Sequence, residues 1–225
     1  MFNRNHRMKV LFAILIIVTA MAGCAKEPYR DSAVEESMAT KDAPHTLDVF
    51  HIAFAPGGDE TERTFSWHTR GMNKKAVVEL SQLDEEGNVL SSETFESNVE
   101  AILRGFSRHK ATITGLEEKQ LYSYRFDDGH RAWSESYTFR TQATEDGDFN
   151  FLFFGDPQIG AGDGTQIDAD GWDWTVTAAT DLFPATDFLV SAGDQVNIAN
   201  NLDQYDGYFF PEELTDYPIM TLMGN

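Results

Sequence analysis

The chain has 225 residues, 41% of them hydrophobic and 24% charged, with a formal net charge of −20 and a sequence pI ≈ 4.5. That is enough material for one large or two ordinary domains with cores of their own. So acidic a balance argues against nucleic acid binding through a basic surface, because neutralising a phosphate backbone takes Lys and Arg. An acidic protein acting on phosphates needs cations to supply positive charge locally.

Residues 1–23 read as an export signal and stay outside the fold. Arg4, Arg7 and Lys9 form a basic start, and 10–20 is apolar, shorter than the about 20 residues a membrane span needs. The segment ends in Met21-Ala22-Gly23-Cys24, and Cys24 is the only cysteine, so it cannot make an internal disulfide. This resembles a bacterial lipoprotein signal, although Met21 stands where Leu is usual. The resemblance implies that Cys24 becomes the lipidated first residue of an extracytoplasmic protein. The acyl chains would hold it to the cell membrane at about 0.8 kcal/mol per buried CH₂. An ordinary secretory signal with an incidental Cys is the alternative, and it too gives an exported protein. Residues 24–45 are polar and charged without apolar period (Glu27, Arg30, Asp31, Glu35, Glu36, Lys41, Asp42) and read as a flexible tether.

Between 46 and 142 the pattern changes to short strands, expected at 47–54, 62–69, 76–83, 89–96, 108–114, 121–127 and 133–140. Apolar and polar residues alternate in Phe65/Trp67, Tyr122/Tyr124/Phe126 and Tyr137/Phe139, and turns are marked by Pro56-Gly57-Gly58, Glu86-Gly87-Asn88 and Asp127-Asp128-Gly129. Seven short strands without a disulfide predict an immunoglobulin-like or fibronectin-III-like β-sandwich. Leu116 followed by Tyr122 is similar to the tyrosine corner of such domains, and Trp67 takes the place of a core Trp. The aromatic set reads as core rather than as a ligand-stacking surface. His51, His68, His109 and His130 share no paired spacing and are not expected to bind metal.

After a linker at 142–148, residues 149–225 read as βαβαβ. Strand 149–154 leads to a Gly-rich loop at 155–171, then a helix at 173–183 with Trp174, Ala178 and Leu182 on one face. Strand 187–191, a short helix near 203–210 and strand 219–223 follow. Three apolar runs here end in Gly and an acid or amide: Gly155-Asp156, Gly193-Asp194 and Gly224-Asn225. Such runs read as fully buried strands, and the spacing leaves room for crossover helices and therefore for parallel pairing. Parallel strands bring their ends to one crevice, where ligands bind. Asp156, Asp194 and Asn225 are thus expected at one rim, and hard oxygen donors gathered there point to divalent cations.

These motifs, in this order, resemble the calcineurin-like metallophosphoesterases, and within them proteins with a purple-acid-phosphatase-type N-terminal domain. The resemblance covers 46–225 and implies the sandwich followed by the first half of a metallophosphoesterase α/β sandwich. It implies two divalent ions (Mn, Zn, Fe or Mg), with Asp156 on the first, Asp194 bridging both and the side-chain oxygen of Asn225 on the second. Such a pair, about 3.5–4 Å apart, generates a hydroxide and stabilises both in-line oxygens in hydrolysis of phosphate mono- or diesters. Gln158 stands where many members carry a His ligand. An amide oxygen is a harder and weaker donor than imidazole, which favours Mg or Mn relative to Zn. Asn197 stands where the purple enzymes carry a Tyr, so no purple chromophore is expected. The family would place a catalytic His next after Asn225 and three more His ligands in a second half of the domain. A chain ending at Asn225 is therefore expected to be an inactive fragment of an active enzyme.

Two other readings follow from the same residues. Residues 166–171 superficially resemble a calcium loop, but Gln166 replaces the required Asp and Thr177 the twelfth-position Glu, so an EF-hand is rejected. Asp163, Asp168 and Asp170 read as a solvated loop. The alternative function is a surface-displayed binding lipoprotein whose second domain is not catalytic.

Overall fold

The computed structural model describes residues 49–71, 76–102, 105–129, 132–143 and 149–224. The predicted signal segment, Cys24, the tether, His130 and Asn225 lie outside the described residues.

The front domain is a sandwich of two four-stranded antiparallel sheets. One pairs β1 (Val49–Pro56), β2 (Glu62–Arg70), β6 (Phe106–Thr114) and β5 (Asn98–Ala101) in the order β1-β2-β6-β5. The other runs β4 (Val89–Glu96), β3 (Val77–Leu83), β7 (Leu121–Phe126) and β8 (Tyr137–Arg140). Alternation is strict in β2, β6 and β7, and the inward residues Phe54, Phe65, Trp67, Val78, Tyr124, Phe126 and Phe139 form the core. The Tyr122 hydroxyl accepts from the Glu117 amide at 2.9 Å, closing the predicted corner.

Two strands depart from expectation. β5 was not anticipated, because all four of its residues are exposed and an edge strand of that kind has no apolar period. The last strand begins at Tyr137 rather than 133. Trp133 instead lies under the Arg125 guanidinium at 4.6 Å and makes only an isolated bridge to Asp127.

The second domain is a parallel sheet in the order β11-β10-β9, built from β9 (Phe151–Phe154), β10 (Phe188–Ser191) and β11 (Ile219–Thr221). Leu189 pairs with Leu152 on one side and Ile219 on the other. Helices α1 (Thr165–Leu182) and α2 (Leu202–Tyr208) connect the strands, and a 3-10 turn at Glu212–Thr215 precedes β11. The expectation of fully buried strands is corrected. Phe154, Leu189 and Ile219 are buried in a core shared with Trp172, Val176 and Tyr208, whereas Phe151, Phe153 and Met220 are exposed.

Helix α1 also begins earlier than predicted and turns a different face inward. Ala169, Trp172, Val176 and Thr180 are buried, while Trp174 and Leu182 are 72% and 71% exposed. Apolar residues occupy both faces, and the polar Thr180 masks the true stripe. The predicted solvated loop at 163–170 is in part helix, and Asp168 fastens the preceding turn by accepting from the amides of Gly160 (2.8 Å) and Gly162 (3.0 Å). Trp172 stacks on Tyr208 at 5.7 Å and donates its indole N–H to the Tyr208 carbonyl at 2.9 Å. Trp172→Ala is expected to cost about 3–5 kcal/mol in urea denaturation, and Trp174→Ser to stay within about 0.5 kcal/mol. Equal losses would show that the inward face is misassigned.

Candidate metal centre

Asp156, Asp194 and Gly224 all follow the C-terminal ends of parallel strands, so the sheet delivers their loops to one rim. The loops after β9 and β10 are joined by backbone hydrogen bonds: Gln158 N to Asp194 O at 2.8 Å, Ile159 N to Gln195 O at 3.1 Å and Asn197 N to Ile159 O at 3.0 Å. On the other side, the Gln195 side chain donates to the Leu222 carbonyl at 2.9 Å. The β10 loop is therefore held from both flanks.

This stitching requires unusual backbone. Gln158 and Asp194 have φ of 37° and 42°, a region that non-glycine residues enter at a cost of order 1–3 kcal/mol. Such strain persists where surrounding contacts enforce it, and both residues are predicted ligands. Gly193, with φ of 109°, lies against Gly224: a Cβ on Gly193 would sit 3.0 Å from the Gly224 Cα. A Cβ on Gly224 would overlap the Asp194 carboxylate. The glycines thus do more than form turns, because they clear the space in which Asp194 lies across the β11 loop.

The carboxylates of Asp156 and Asp194 are close enough to act on one another. Burial, and then the Asp194 charge, push the Asp156 pKa above its ordinary value. Concentrated negative charge at a strand-end crevice is chemistry that a divalent cation relieves, so these two residues fit a hard-cation site. The Gln158 side chain reaches Asn197, its Nε2 donating to Asn197 Oδ1 at 3.4 Å. The two positions that differ from the resembling motif pattern are therefore neighbours. Asn225 is outside the described residues, and among those described no third His, Cys, Asp or Glu joins the two Asp in a cation-binding group. A groove of about 380 Å³ runs from Asp156 and Pro157 along α1 past Ile167 and Trp172.

Comparison with known proteins bears on the front domain most directly. Residues 49–141 match the family of purple acid phosphatase N-terminal domains. The domain also has solved counterparts: the purple acid phosphatase PPD1 from seeds of yellow lupin (Lupinus luteus) superposes with a TM-score of 0.60 at 18% identity. That alignment covers 80% of this chain and 35% of the lupin chain, so the shared fold extends past the sandwich into the α/β segment. The chain spans about a third of the lupin protein's length. The sensor domain of the anti-sigma factor RsgI4 from Pseudobacteroides cellulosolvens aligns with 44% of this chain and 99% of its own, at 16% identity. The TM-score of that alignment is 0.30. No curated protein matches the chain.

The sequence missed one polar cluster, which lies at the junction of the two domains. His51 on β1, His68 on β2 and Asp206 on α2 are in direct contact. No pattern in the sequence signals the His pair: the register sets Phe50 opposite His68, and the irregularity between Phe50 and Ala53 brings the His51 ring to it. At the rim itself, Gly193→Ala is expected to destabilise the protein by about 1–3 kcal/mol through backbone strain and overlap. Gly155→Ala, with nothing within 4 Å of its added Cβ, is expected to change stability by no more than about 0.5 kcal/mol. Equal effects in chemical denaturation would contradict the close approach.

Proposed function

We propose that this chain supplies the sandwich and the first strands of an exported metal-dependent phosphoesterase acting on phosphate mono- or diesters. The observation that carries the reading is the meeting of Asp156 and Asp194 at the ends of adjacent parallel strands, close enough to raise the Asp156 pKa. The lupin-like arrangement of sandwich and α/β segment supports it.

In this reading Asp156, Gln158, Asp194 and Asn225 would hold two divalent ions, which when bound supply Lewis acidity and an activated water. The chain's own residues do the positioning. The hydrogen bonds of Gln158, Ile159 and Asn197 fix the β9 loop against the β10 loop, and Gly193 and Gly224 leave room for the Asp194 carboxylate. Asp194 has the central task, because only a carboxylate offsets two cations at once. Cys24 would carry the lipid that holds the protein on the outer side of its membrane.

Expression from the intact gene in a bacterial host tests these assignments together. The wild-type protein is expected in the membrane fraction with Mn²⁺-dependent hydrolysis of p-nitrophenyl phosphate. Asp194→Asn should keep that location and lose turnover, and Cys24→Ser should move activity to the soluble extracytoplasmic fraction. Full activity in Asp194→Asn refutes the metal assignment, and an unchanged distribution of Cys24→Ser refutes the anchor.

A further inference from the structure

The junction between the sandwich and the second domain carries a hydrogen-bonded chain that neither the metal centre nor the core explains. His51 Nε2 lies 2.6 Å from Asp206 Oδ1, and His51 Nδ1 lies 3.0 Å from His68 Nδ1. His51 is 7% exposed, has a φ of 50° and sits where the β1–β2 register slips between Phe50 and Ala53. A bulge of this kind re-aims a side chain. Here the imidazole stacks on Phe209, just after α2, at 4.9 Å.

The proton positions follow from the partners. A carboxylate only accepts, so His51 Nε2 carries a hydrogen. The bare Nδ1 of neutral His51 must then accept, and His68 Nδ1 must donate. One added proton is accommodated. His51 becomes a cation between Asp206 and a His68 whose hydrogen has moved to Nε2, leaving its Nδ1 to accept. A second proton is not accommodated, because two N–H groups would then face each other across 3.0 Å on two adjacent cations.

We propose that His51, His68 and Asp206 form an acid-sensitive latch between the sandwich and helix α2, closed while the imidazole pair holds at most one extra proton and opened by the second. The surroundings resist that second charge. From β6, Arg108 and His109 act on His68, and His109 is itself fixed by Thr69 Oγ1 at 2.9 Å and Ser97 Oγ at 3.0 Å. Arg70 of β2 lies over the Phe50 ring at 5.8 Å, and Tyr205 of α2 is 6.5 Å from His51 between ring centroids. A crevice of about 450 Å³ beside His51 is also lined by Glu135, Tyr137, Glu212 and Asp216. Asp206 is the carboxylate in hydrogen-bond contact with His51.

Burial, followed by His51 and Arg108, depresses the His68 pKa to about 4, and burial outweighs Asp206 to lower that of His51. An unfolded or opened His titrates near about 6.5. Between these values the open form binds more protons, so the latch is firmest above pH of about 6.5 and weakens as pH falls toward about 4. The two rings titrate as a coupled pair.

Histidine ¹⁵N NMR on the whole chain should find His51 protonated at Nε2 and His68 at Nδ1 near neutral pH, with two coupled steps, the second near 4. Hydrogen exchange of the α2 amides, corrected for intrinsic chemical rates, should show protection falling about tenfold or more from pH of about 6.5 to about 4. His68→Gln keeps an N–H donor for His51 but cannot take the second charge, so its α2 should lose clearly less protection over that range than the wild type does. Both imidazoles titrating independently near 6.5, flat protection of wild-type α2, or the same acid opening in His68→Gln would each overturn the latch. If His68→Gln does not fold, the wild-type titration and exchange decide it.

Discussion

The side-by-side pairing of three parallel strands, with β10 in the centre, is the constraint on which the rest depends. A parallel ladder sends every strand end in the same direction, so whatever follows each strand gathers at one edge. Here that edge receives Asp156, Asp194 and Gly224. The Leu189 register with Leu152 and Ile219 fixes how far each loop projects. A slip of one residue would bring the exposed Phe151 and Phe153 to the helix side and carry the acids off the rim.

Local chemistry then refines what topology provides. Hydrogen bonds between the β9 and β10 loops hold Gln158 and Asp194 in positive-φ conformations, and paired glycines admit the Asp194 carboxylate beside the β11 loop. The sandwich supports this arrangement from behind. The Tyr124 hydroxyl donates to the Thr215 carbonyl at 2.6 Å, and Ala53 of β1 packs against the core of the second domain. The His51 contact with Asp206 joins the same junction through groups that titrate. The sandwich thereby bears on the helices that back the rim, although its own residues lie outside it.

Much of the fold was legible because buried β-structure writes itself into sequence. Alternation marked β2, β7 and β8, and Phe-, Leu- and Ile-rich runs located β9 to β11. Elements without that signal were lost, as with the wholly exposed β5. The face of α1 was misread because Trp174 and Leu182 are apolar yet exposed, while Thr180 is polar yet buried. Its early start was hidden by Asp168 and Gly171, turn formers by propensity that tertiary packing of Ala169 and Trp172 overrides. At the rim, the Gly-Asp repeats identified Asp156 and Asp194, but the glycine contact and the Gln158–Asn197 pairing are relations between distant segments that single-sequence patterns do not encode. The same holds for His51 and His68, which meet through an irregularity in the β1–β2 register.

The most direct test is crystallographic: anomalous diffraction from crystals of this protein soaked in Mn²⁺. A manganese peak contacting both the Asp156 and Asp194 carboxylates is the expected result. The two carboxylates well apart, or manganese bound only elsewhere on this acidic surface, would contradict it.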